Sequence, residues 1–329
     1  MSDTDFKGFS APETISEEWR EYISQLPSPA LFQTPGPDNL EGWRTFHDSG
    51  EKDMIKANFG LLEEMNVQWA ESEINQIPVL TLIPKDYKES TAIIIYLHGG
   101  GYTMLSAKSR SATAALMAES TGLKVIAVDY TTAPFAKWDK IHDEVIQVIK
   151  GLLNEGHSMN DIALFGDSAG GGLAASVTLH LRNIGMGLPA ALVLWSPWAD
   201  ITETGDTYQT LKYAEPQFLY DATLSNCRDA YAAPQDWKNP YVSPVYGDFN
   251  KGFPPTLIQG GTKEILLSGF IRLYQAIDQS GLEVKLDLYE GMVHVFQSKL
   301  PDSPESTIAI EKCGEFIIQY LTRSKEGNL

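Results

Sequence analysis

The stretch IALFGDSAGGGLAASVTLHL, residues 162–181, decides the fold of this chain. Residues 162–165 are a short apolar run typical of a buried strand, and the small residues after position 168 are typical of a helix packed closely on a sheet. Between them lies GDSAG, in which glycines flank the serine and remove the Cβ clashes of a sharp turn. The stretch therefore predicts a strand, a tight turn that exposes Ser168, and a helix.

The chain from about Thr91 onward repeats this alternation of short apolar runs and helical patterns. Such alternation is the signature of a mostly parallel sheet that is covered by helices on both faces. The predicted strands are residues 92–97, 124–128, 162–165, 191–194, 256–258 and 284–289. The predicted helices are residues 107–120, 141–153, 169–181, 266–279 and 307–321. We therefore predict an α/β fold with a mostly parallel central sheet flanked by helices.

Ser168 stands in a G-x-S-x-G pattern, which between a strand and a helix is the nucleophile elbow. The helix that follows would direct its N-terminal dipole at a developing oxyanion. A glycine-rich turn without chemistry is the alternative interpretation of the same residues. We predict that Ser168 is a catalytic nucleophile.

A second glycine-rich motif, HGGG at residues 98–101, directly follows the strand predicted over 92–97. Consecutive glycines after a strand allow backbone N–H groups to point into a cavity, as an oxyanion hole requires. The amide of the residue after the nucleophile is their usual partner. We predict an oxyanion hole formed by Gly100, Gly101 and Ala169, and we expect His98 to organise the loop rather than to act as a base.

The base that activates Ser168 should follow it in the chain, which leaves His180 and His294. His180 lies about three helical turns beyond the elbow, roughly 18 Å away by helical rise, which is too far for a hydrogen bond. His294 follows the last predicted strand, where a loop can return to the elbow. We predict His294 as the base, against the alternative of an ordinary structural histidine.

The carboxylate that orients the base should lie between the two and follow a strand. Glu264 qualifies, because it comes shortly after the strand predicted over 256–258. Asp287 falls inside a strand and Asp221 falls in a segment outside the sheet, so both are weaker alternatives. In this mechanism His294 takes the Ser168 proton, and the reaction requires no metal or organic cofactor.

Two stretches do not follow the α/β alternation. The first is residues 1–64, with a helix from Ser16, a proline-rich bend at 27–37 and a helical run over 54–65. The second is an aromatic-rich insertion at about residues 200–241. We predict that both form a helical cap over the strand ends, where α/β active sites form. Residues 65–329 would then be the catalytic domain, although any one aromatic residue could simply pack the insertion on the sheet.

Composition narrows the classes of partner. The chain of 329 residues has 25 basic and 43 acidic residues and a net charge of −18, which argues against nucleic acid and acidic membrane surfaces. Two cysteines are too few for a disulfide framework, and the start resembles no secretory signal, so we expect a cytoplasmic protein. No run approaches the roughly 18 apolar residues of a spanning helix.

If the edge of strand 284–289 is uncovered, two copies could pair there, and we expect a homodimer.

Together these motifs make residues 77–320 resemble the hormone-sensitive lipase-like family of α/β-hydrolases, in its GDSAG branch. The resemblance rests on HGGG at 98–101, GDSAGG at 166–171, GTKEILL at 261–267, GMVHVF at 291–296, SPWAD at 196–200 and NPYVSP at 239–244. It implies an α/β-hydrolase fold with a two-part cap. It also implies a carboxylesterase that cleaves short to medium acyl esters through Ser168, His294 and Glu264.

The chain departs from the family pattern in two places. DYTTAPF at residues 129–135 lacks an arginine and a glutamate that usually pair, and Ser268-Gly269 replaces an acidic pair. Neither change touches a reacting group, so they bear on the pocket and the substrate. A lactone hydrolase would use the same machinery, whereas an amidase or a triglyceride lipase is less favoured. A non-catalytic small-ligand receptor, as among plant gibberellin receptors, is the rival from another class, and His294 argues against it.

Overall fold

The computed structural model describes residues 11–27 and 32–326. Its strands are β1 (Gln68–Ile74), β2 (Ile77–Ile83), β3 (Ile93–Leu97), β4 (Lys124–Val128), β5 (Ile162–Asp167), β6 (Ala191–Trp195), β7 (Thr256–Gly261) and β8 (Val284–Tyr289). Within these residues they form one sheet in the order β1-β2-β4-β3-β5-β6-β7-β8. The pairs from β4 to β8 are parallel, while β2 is antiparallel to both β1 and β4. The predicted mostly parallel sheet is confirmed.

Helices cover both faces of this sheet. They are α1 (Glu17–Ser24), α2 (Leu40–Asp48), α3 (Glu51–Glu64), α4 (Ser111–Thr121), α5 (Trp138–Asn154), α6 (Ala169–Asn183), α7 (Thr207–Thr210), α8 (Ser225–Tyr231), α9 (Leu267–Asp278) and α10 (Pro304–Glu326). The apolar residues of α5, α6 and α9 pack on one face, and those of α4 and α10 pack on the other. Burial of these two apolar layers is the main source of stability of the domain.

All six predicted strands are present, and the two strands β1 and β2 were not predicted. The predicted helix over 107–120 is wrong at its start, because α4 begins at Ser111. The preceding residues form a turn in which the Ser106 and Ser109 hydroxyls each accept a hydrogen bond from the other residue's N–H group. The helix predicted from Ser16 is α1, and the helical run over 54–65 is α3. Residues 28–31 of the predicted bend and residues 1–10 lie outside the described residues.

The register of the parallel strands aligns their carboxyl ends. Leu97 of β3 pairs with Gly166 of β5, and Asp167 of β5 pairs with Trp195 of β6. Because these ends lie at one edge, the loops that follow β3, β5, β6, β7 and β8 converge there. Those loops contain Ser168, Glu264, His294 and the HGGG motif.

The N-terminal segment and the insertion both lie over this edge. Trp19 of α1 is fully buried against Phe296, and its Nε1 donates a hydrogen bond to Ser303 Oγ at 2.8 Å. The Thr223 hydroxyl of the insertion donates to the Phe32 carbonyl at 2.7 Å. The N-terminal segment is therefore tied both to the loop after β8 and to the insertion. In the described part of the chain no helix is long and apolar enough to cross a membrane.

Candidate active site

Ser168 occupies the turn between β5 and α6 in a strained conformation, with φ 55° and ψ −121°. The turn is possible because of its glycines: a Cβ on Gly166 would lie 2.3 Å from the Gly170 carbonyl oxygen. A Cβ on Gly170 would lie 2.0 Å from the Leu97 carbonyl oxygen, at the end of β3. The absence of these side chains lets α6 start directly against the sheet, with Ser168 facing a cavity. The predicted elbow geometry is present.

The structure brings His294 and Glu264 to Ser168. His294 Nε2 lies 2.8 Å from Ser168 Oγ, and His294 Nδ1 lies 2.6 Å from Glu264 Oε2. Glu264 is fully buried, and its other oxygen, Oε1, accepts hydrogen bonds from Gly261 N at 2.6 Å and Ser196 Oγ at 2.8 Å. A carboxylate held by these donors can fix the imidazole so that Nε2 is free to accept a proton from the serine.

The weaker candidates lie elsewhere or have other partners. Asp287 forms an ion pair with Lys312 at 3.0 Å, and Asp221 forms one with Lys212 at 3.0 Å. His180 stacks on Tyr241 with ring centroids 4.4 Å apart.

His98 is fully buried and belongs to the loop after β3, as expected. Its ring stacks on Tyr130 at 4.1 Å, and the Tyr130 hydroxyl donates to the His98 carbonyl at 2.6 Å. Burial lowers the pKa of His98, so its ring is neutral at neutral pH.

The residues predicted for the oxyanion hole lie beside Ser168. Gly100 and Gly101 have φ values of 115° and 62°, and they line the same cavity as Ser168. The N–H groups of Gly100, Gly101 and Ala169 donate to no other group in the part of the chain that the structure describes. Ala169 is the first residue of α6, so its amide also carries the positive end of the helix dipole. N–H donors that are not engaged elsewhere among the described residues can stabilise a developing negative charge on oxygen.

Sequence reasoning missed a buried ionic network behind the serine. Asp167, which precedes it, accepts hydrogen bonds from Tyr96 Oη at 2.5 Å, from Gly99 N at 3.0 Å and from Arg110 Nη2 at 3.1 Å. Burial, followed by the Asp167 charge, raises the pKa of Tyr96 well above its usual value. Asp167 thereby joins the elbow to the glycine-rich loop. The signal in the sequence was only that an acidic residue lies next to the nucleophile.

Glu215 is a second group that the sequence did not reveal. It is buried, and its carboxyl oxygens accept hydrogen bonds from Gln217 N at 2.9 Å and from Ile265 N at 3.4 Å. Burial, followed by the nearby Glu264, raises the pKa of Glu215 well above its usual value. Glu215 thus links the insertion to the loop that carries Glu264.

The cavity in front of Ser168 has a volume of about 540 Å³, within the usual range for small-molecule sites. Both segments outside the sheet contribute to its lining. The apolar residues around it are Tyr22, Leu26, Pro27, Phe32, Met104, Leu105, Pro216, Phe218 and Leu224. The Phe218 ring meets the His294 ring edge to face, with centroids 4.9 Å apart. Among the described residues no group of three or more His, Cys, Asp or Glu side chains could hold a metal ion.

A family model described as the alpha/beta hydrolase fold matches residues 94–298, which is more than half of the chain. The chain belongs to the α/β-hydrolase family. The fold and the resemblance inferred from the sequence motifs are therefore confirmed.

Relatives of this hydrolase are named as enzymes that act on esters or acetyl groups. It is 35% identical to an acetyl-hydrolase from Streptomyces hygroscopicus over 224 residues, which is 68% of this chain and 74% of that protein. It is 31% identical to an esterase from Acinetobacter venetianus over 232 residues, which is 70% of this chain and 76% of that protein.

Solved structures of esterases superpose on this hydrolase over nearly its whole length. The crystal structure of esterase E25 has a TM-score of 0.88 and 28% identity and covers 95% of this chain and 96% of its own. An esterase from the bacterial hormone-sensitive lipase family has a TM-score of 0.81 and 28% identity, over 93% of this chain and 99% of its own. EstE5, crystallised and soaked with p-nitrophenyl butyrate, has a TM-score of 0.82 and 26% identity, over 93% of this chain and 99% of its own. The chain is therefore a carboxylesterase-type hydrolase.

Proposed function

We propose that the hydrolase cleaves short to medium acyl carboxylic esters with Ser168 as nucleophile, His294 as general base and Glu264 as the orienting carboxylate. The single observation that carries the proposal is the continuous hydrogen-bonded chain from Ser168 Oγ through His294 to Glu264 Oε2, with distances of 2.8 and 2.6 Å. It opens onto a cavity beside three free N–H groups. No other described serine combines these features.

The proposed reaction has two halves. His294 takes the proton of Ser168 as the serine oxygen attacks the ester carbonyl, and the Gly100, Gly101 and Ala169 amides stabilise the oxyanion. His294 then gives the proton to the leaving alcohol, which leaves an acyl-serine. Water, deprotonated by the same His294, attacks the acyl-serine; the acid is released as His294 returns the proton to the departing Ser168 oxygen. Glu264 stabilises the imidazolium in both halves.

The cavity and the similar proteins support this substrate range. The apolar lining of the cavity suits the hydrocarbon part of an ester. The name acetyl-hydrolase and the p-nitrophenyl butyrate soak both concern short acyl groups in similar proteins. A lactone ring would present the same carbonyl to Ser168, so lactones are the alternative substrate class.

We also propose that residues 1–64 and the insertion at about 200–241 form the cap, with residues 65–329 as the catalytic domain. The cavity lining from both segments supports this division, as do their mutual hydrogen bonds, including Asn226 Nδ2 to the Thr34 carbonyl at 3.0 Å. β8 is an edge strand of the sheet, and the homodimer remains a prediction. The cytoplasmic location also remains a prediction.

The decisive experiment is a p-nitrophenyl ester series from acetate to palmitate, assayed with the wild type, Ser168→Ala and His294→Ala. We expect both variants to lose about 10³-fold or more in kcat, with a short-chain optimum for the wild type. His180→Ala is the matched control and should keep its activity. A fluorophosphonate should label the wild type and not Ser168→Ala. A folded wild type that neither hydrolyses esters or lactones nor takes the label would overturn the proposal.

A further inference from the structure

A lysine side chain that forms no ion pair with any described residue lines the cavity of the proposed active site. Lys299 follows the 3-10 turn Phe296–Ser298, five positions after His294, and its N–H donates to the Phe296 carbonyl at 2.9 Å. Its exposed side chain lines the same cavity as Ser168 and His294. Within residues 11–27 and 32–326, Lys299 has no ion pair.

The charged groups around Lys299 do not cancel its charge. Asp167 is already bound to Arg110, Tyr96 and Gly99 N, so its negative charge is balanced by the Arg110 guanidinium. Burial, followed by the nearby Glu264, raises the pKa of Glu215 well above its usual value, which favours its neutral form, and its oxygens already accept hydrogen bonds from Gln217 N and Ile265 N. Among the described residues, the Lys299 ammonium is therefore a cationic group of this cavity without an ion-pair partner, although the chain as a whole carries −18.

The surroundings of Lys299 lower the pKa of its ammonium group but leave most of it charged at pH 7. Desolvation by the surrounding protein, followed by the Arg110 charge, lowers the pKa of Lys299 to about 8. At pH 7 the ammonium form still exceeds the neutral amine by about tenfold.

We propose that Lys299 binds a carboxylate carried by the substrate, so that the enzyme prefers esters with an anionic group over neutral esters of the same length. This inference rests on the proposed function, since it assigns a substrate class to the same cavity. The hydrocarbon portion lies against apolar side chains such as Leu105, Phe218 and Leu224, and the carboxylate accepts a charge-assisted hydrogen bond from Lys299 Nζ. Lys299 is a specificity-determining residue and takes no part in the bond-making steps.

The test uses two pairs of esters that differ in one carboxylate. On the acyl side the pair is mono-p-nitrophenyl adipate and p-nitrophenyl hexanoate. On the alcohol side it is 4-butyryloxybenzoate and phenyl butyrate. The quantity measured is the ratio of kcat/KM for the anionic ester to that for the neutral ester. The pair whose ratio depends on Lys299 shows which side of the scissile bond carries the anion.

Three variants separate charge from packing. Lys299→Met removes the charge at similar length, Lys299→Arg keeps it, and Lys150→Met removes an equivalent charge from the exposed surface of α5. We expect Lys299→Met to lower the ratio by about tenfold in one pair, mainly through KM, which is the range for one charge-assisted hydrogen bond. Lys299→Arg should keep the ratio within about threefold of the wild-type ratio, and Lys150→Met should not change the ratio.

The outcomes distinguish this inference from the proposed function. If the wild type hydrolyses the neutral esters and Lys299→Met leaves both ratios within about twofold of the wild type, the carboxylate site is refuted and the esterase proposal stands. If Lys299→Arg loses the ratio as fully as Lys299→Met, packing rather than charge is responsible, which also refutes the site. A wild type inactive on all four esters overturns both proposals.

Discussion

The Ser196 hydroxyl donates a hydrogen bond to Glu264 Oε1 at 2.8 Å while accepting one from Val295 N at 3.0 Å. It therefore joins three loops: the end of β6, the loop after β7 that carries Glu264, and the loop after β8 that carries His294. Ser196 is fully buried and has a φ of 47°, so the backbone at this position is itself constrained. The Ser196 hydroxyl thus holds Glu264 Oε1 while Oε2 contacts His294, which fixes the orientation of the carboxylate.

Ser196→Ala should lower kcat on p-nitrophenyl butyrate by about tenfold and leave KM within about twofold. The substitution removes one of the donors that hold Glu264 and leaves Val295 N unpaired, while the reacting groups stay in place. Steady-state kinetics measured together with the pH profile of kcat test this role. Because Ser196 acts through Glu264, the apparent pKa of the base should shift in the variant. Ser280→Ala is the control, because among the described residues the Ser280 hydroxyl donates to the Ala276 carbonyl near the end of α9, far along the chain from the candidate site residues.

A loss as large as that of Ser168→Ala would contradict this positioning role, because Ser196 would then act directly on the substrate. Kinetics and a pH profile identical to those of the wild type would contradict it as well.

The sequence predicted what depends on local patterns. The apolar runs of β3 to β7 are buried almost throughout, so short uninterrupted runs revealed these strands. β1 was missed because six of its seven residues are exposed and carry no alternation. β2 contains Pro78 and is partly exposed, which obscures its strand pattern.

The residues of the candidate site also divide into those that local sequence patterns predict and those that depend on tertiary packing. Ser168, His294 and Glu264 were predictable because each stands in a loop directly after a strand, and parallel strands bring such loops together. Glu215 and Lys299 were not predictable, because their positions at the cavity depend on how the insertion and the loop after β8 pack in three dimensions. The spacing of residues along the sequence does not predict that packing. The alignment of Arg110 with Asp167, which are 57 positions apart, is likewise a tertiary property.

Gly170→Ala should destabilise the fold by about 2–3 kcal/mol or more. Its new Cβ would lie 2.0 Å from the Leu97 carbonyl oxygen and 2.5 Å from that of His98, and backbone atoms at the end of a central strand cannot move aside. Gly269→Ala is the matched control within α9, because a Cβ there meets nothing within 4 Å. That variant should gain about 0.5–1 kcal/mol from helix propensity. Urea unfolding measures both, and equal stabilities of the two variants would contradict the close approach of α6 to β3.

Acid should destabilise the protein in part through His142. This residue is fully buried, and burial followed by the neighbouring His180 lowers its pKa to about 3. The unfolded chain takes up a proton below about pH 6.5 while the folded chain does not. The stability due to neutral His142 is therefore present above about pH 6.5 and is lost as the pH falls from there toward about 3. Burial also lowers the pKa of His180, so its contribution has the same sign.

His142→Gln should make the free energy of unfolding less dependent on pH between about 4 and 6. The slope should decrease by about 1.4 kcal/mol per pH unit, which corresponds to one proton. Urea unfolding at several pH values measures the slope, and Gln can keep a hydrogen bond to Ser176 Oγ, which lies 3.1 Å from His142 Nε2. Parallel slopes for the wild type and His142→Gln would show that His142 is protonated in the folded state.

Arg110→Met should destabilise the protein by about 3 kcal/mol, because it leaves the buried Asp167 carboxylate without its cation. Lys108→Met breaks an ion pair of similar length, 2.6 Å to Glu71, but both partners are substantially exposed. The surface pair should be worth less than about 1 kcal/mol. The comparison thus separates the effect of burial from that of charge pairing, and urea unfolding at constant ionic strength measures it.

The double variant Arg110→Met/Asp167→Asn completes the cycle. The introduced amide carries no charge that needs a partner, and its oxygen can still accept a hydrogen bond from Tyr96 Oη or Gly99 N. The double variant should therefore recover at least half of the stability that Arg110→Met loses. Additive losses in the two single variants would mean that Arg110 acts through packing of its aliphatic chain and not through Asp167. Because Asp167 also holds Gly99 N, 3.0 Å away, the single variant Arg110→Met should in addition lose more esterase activity than Lys108→Met does.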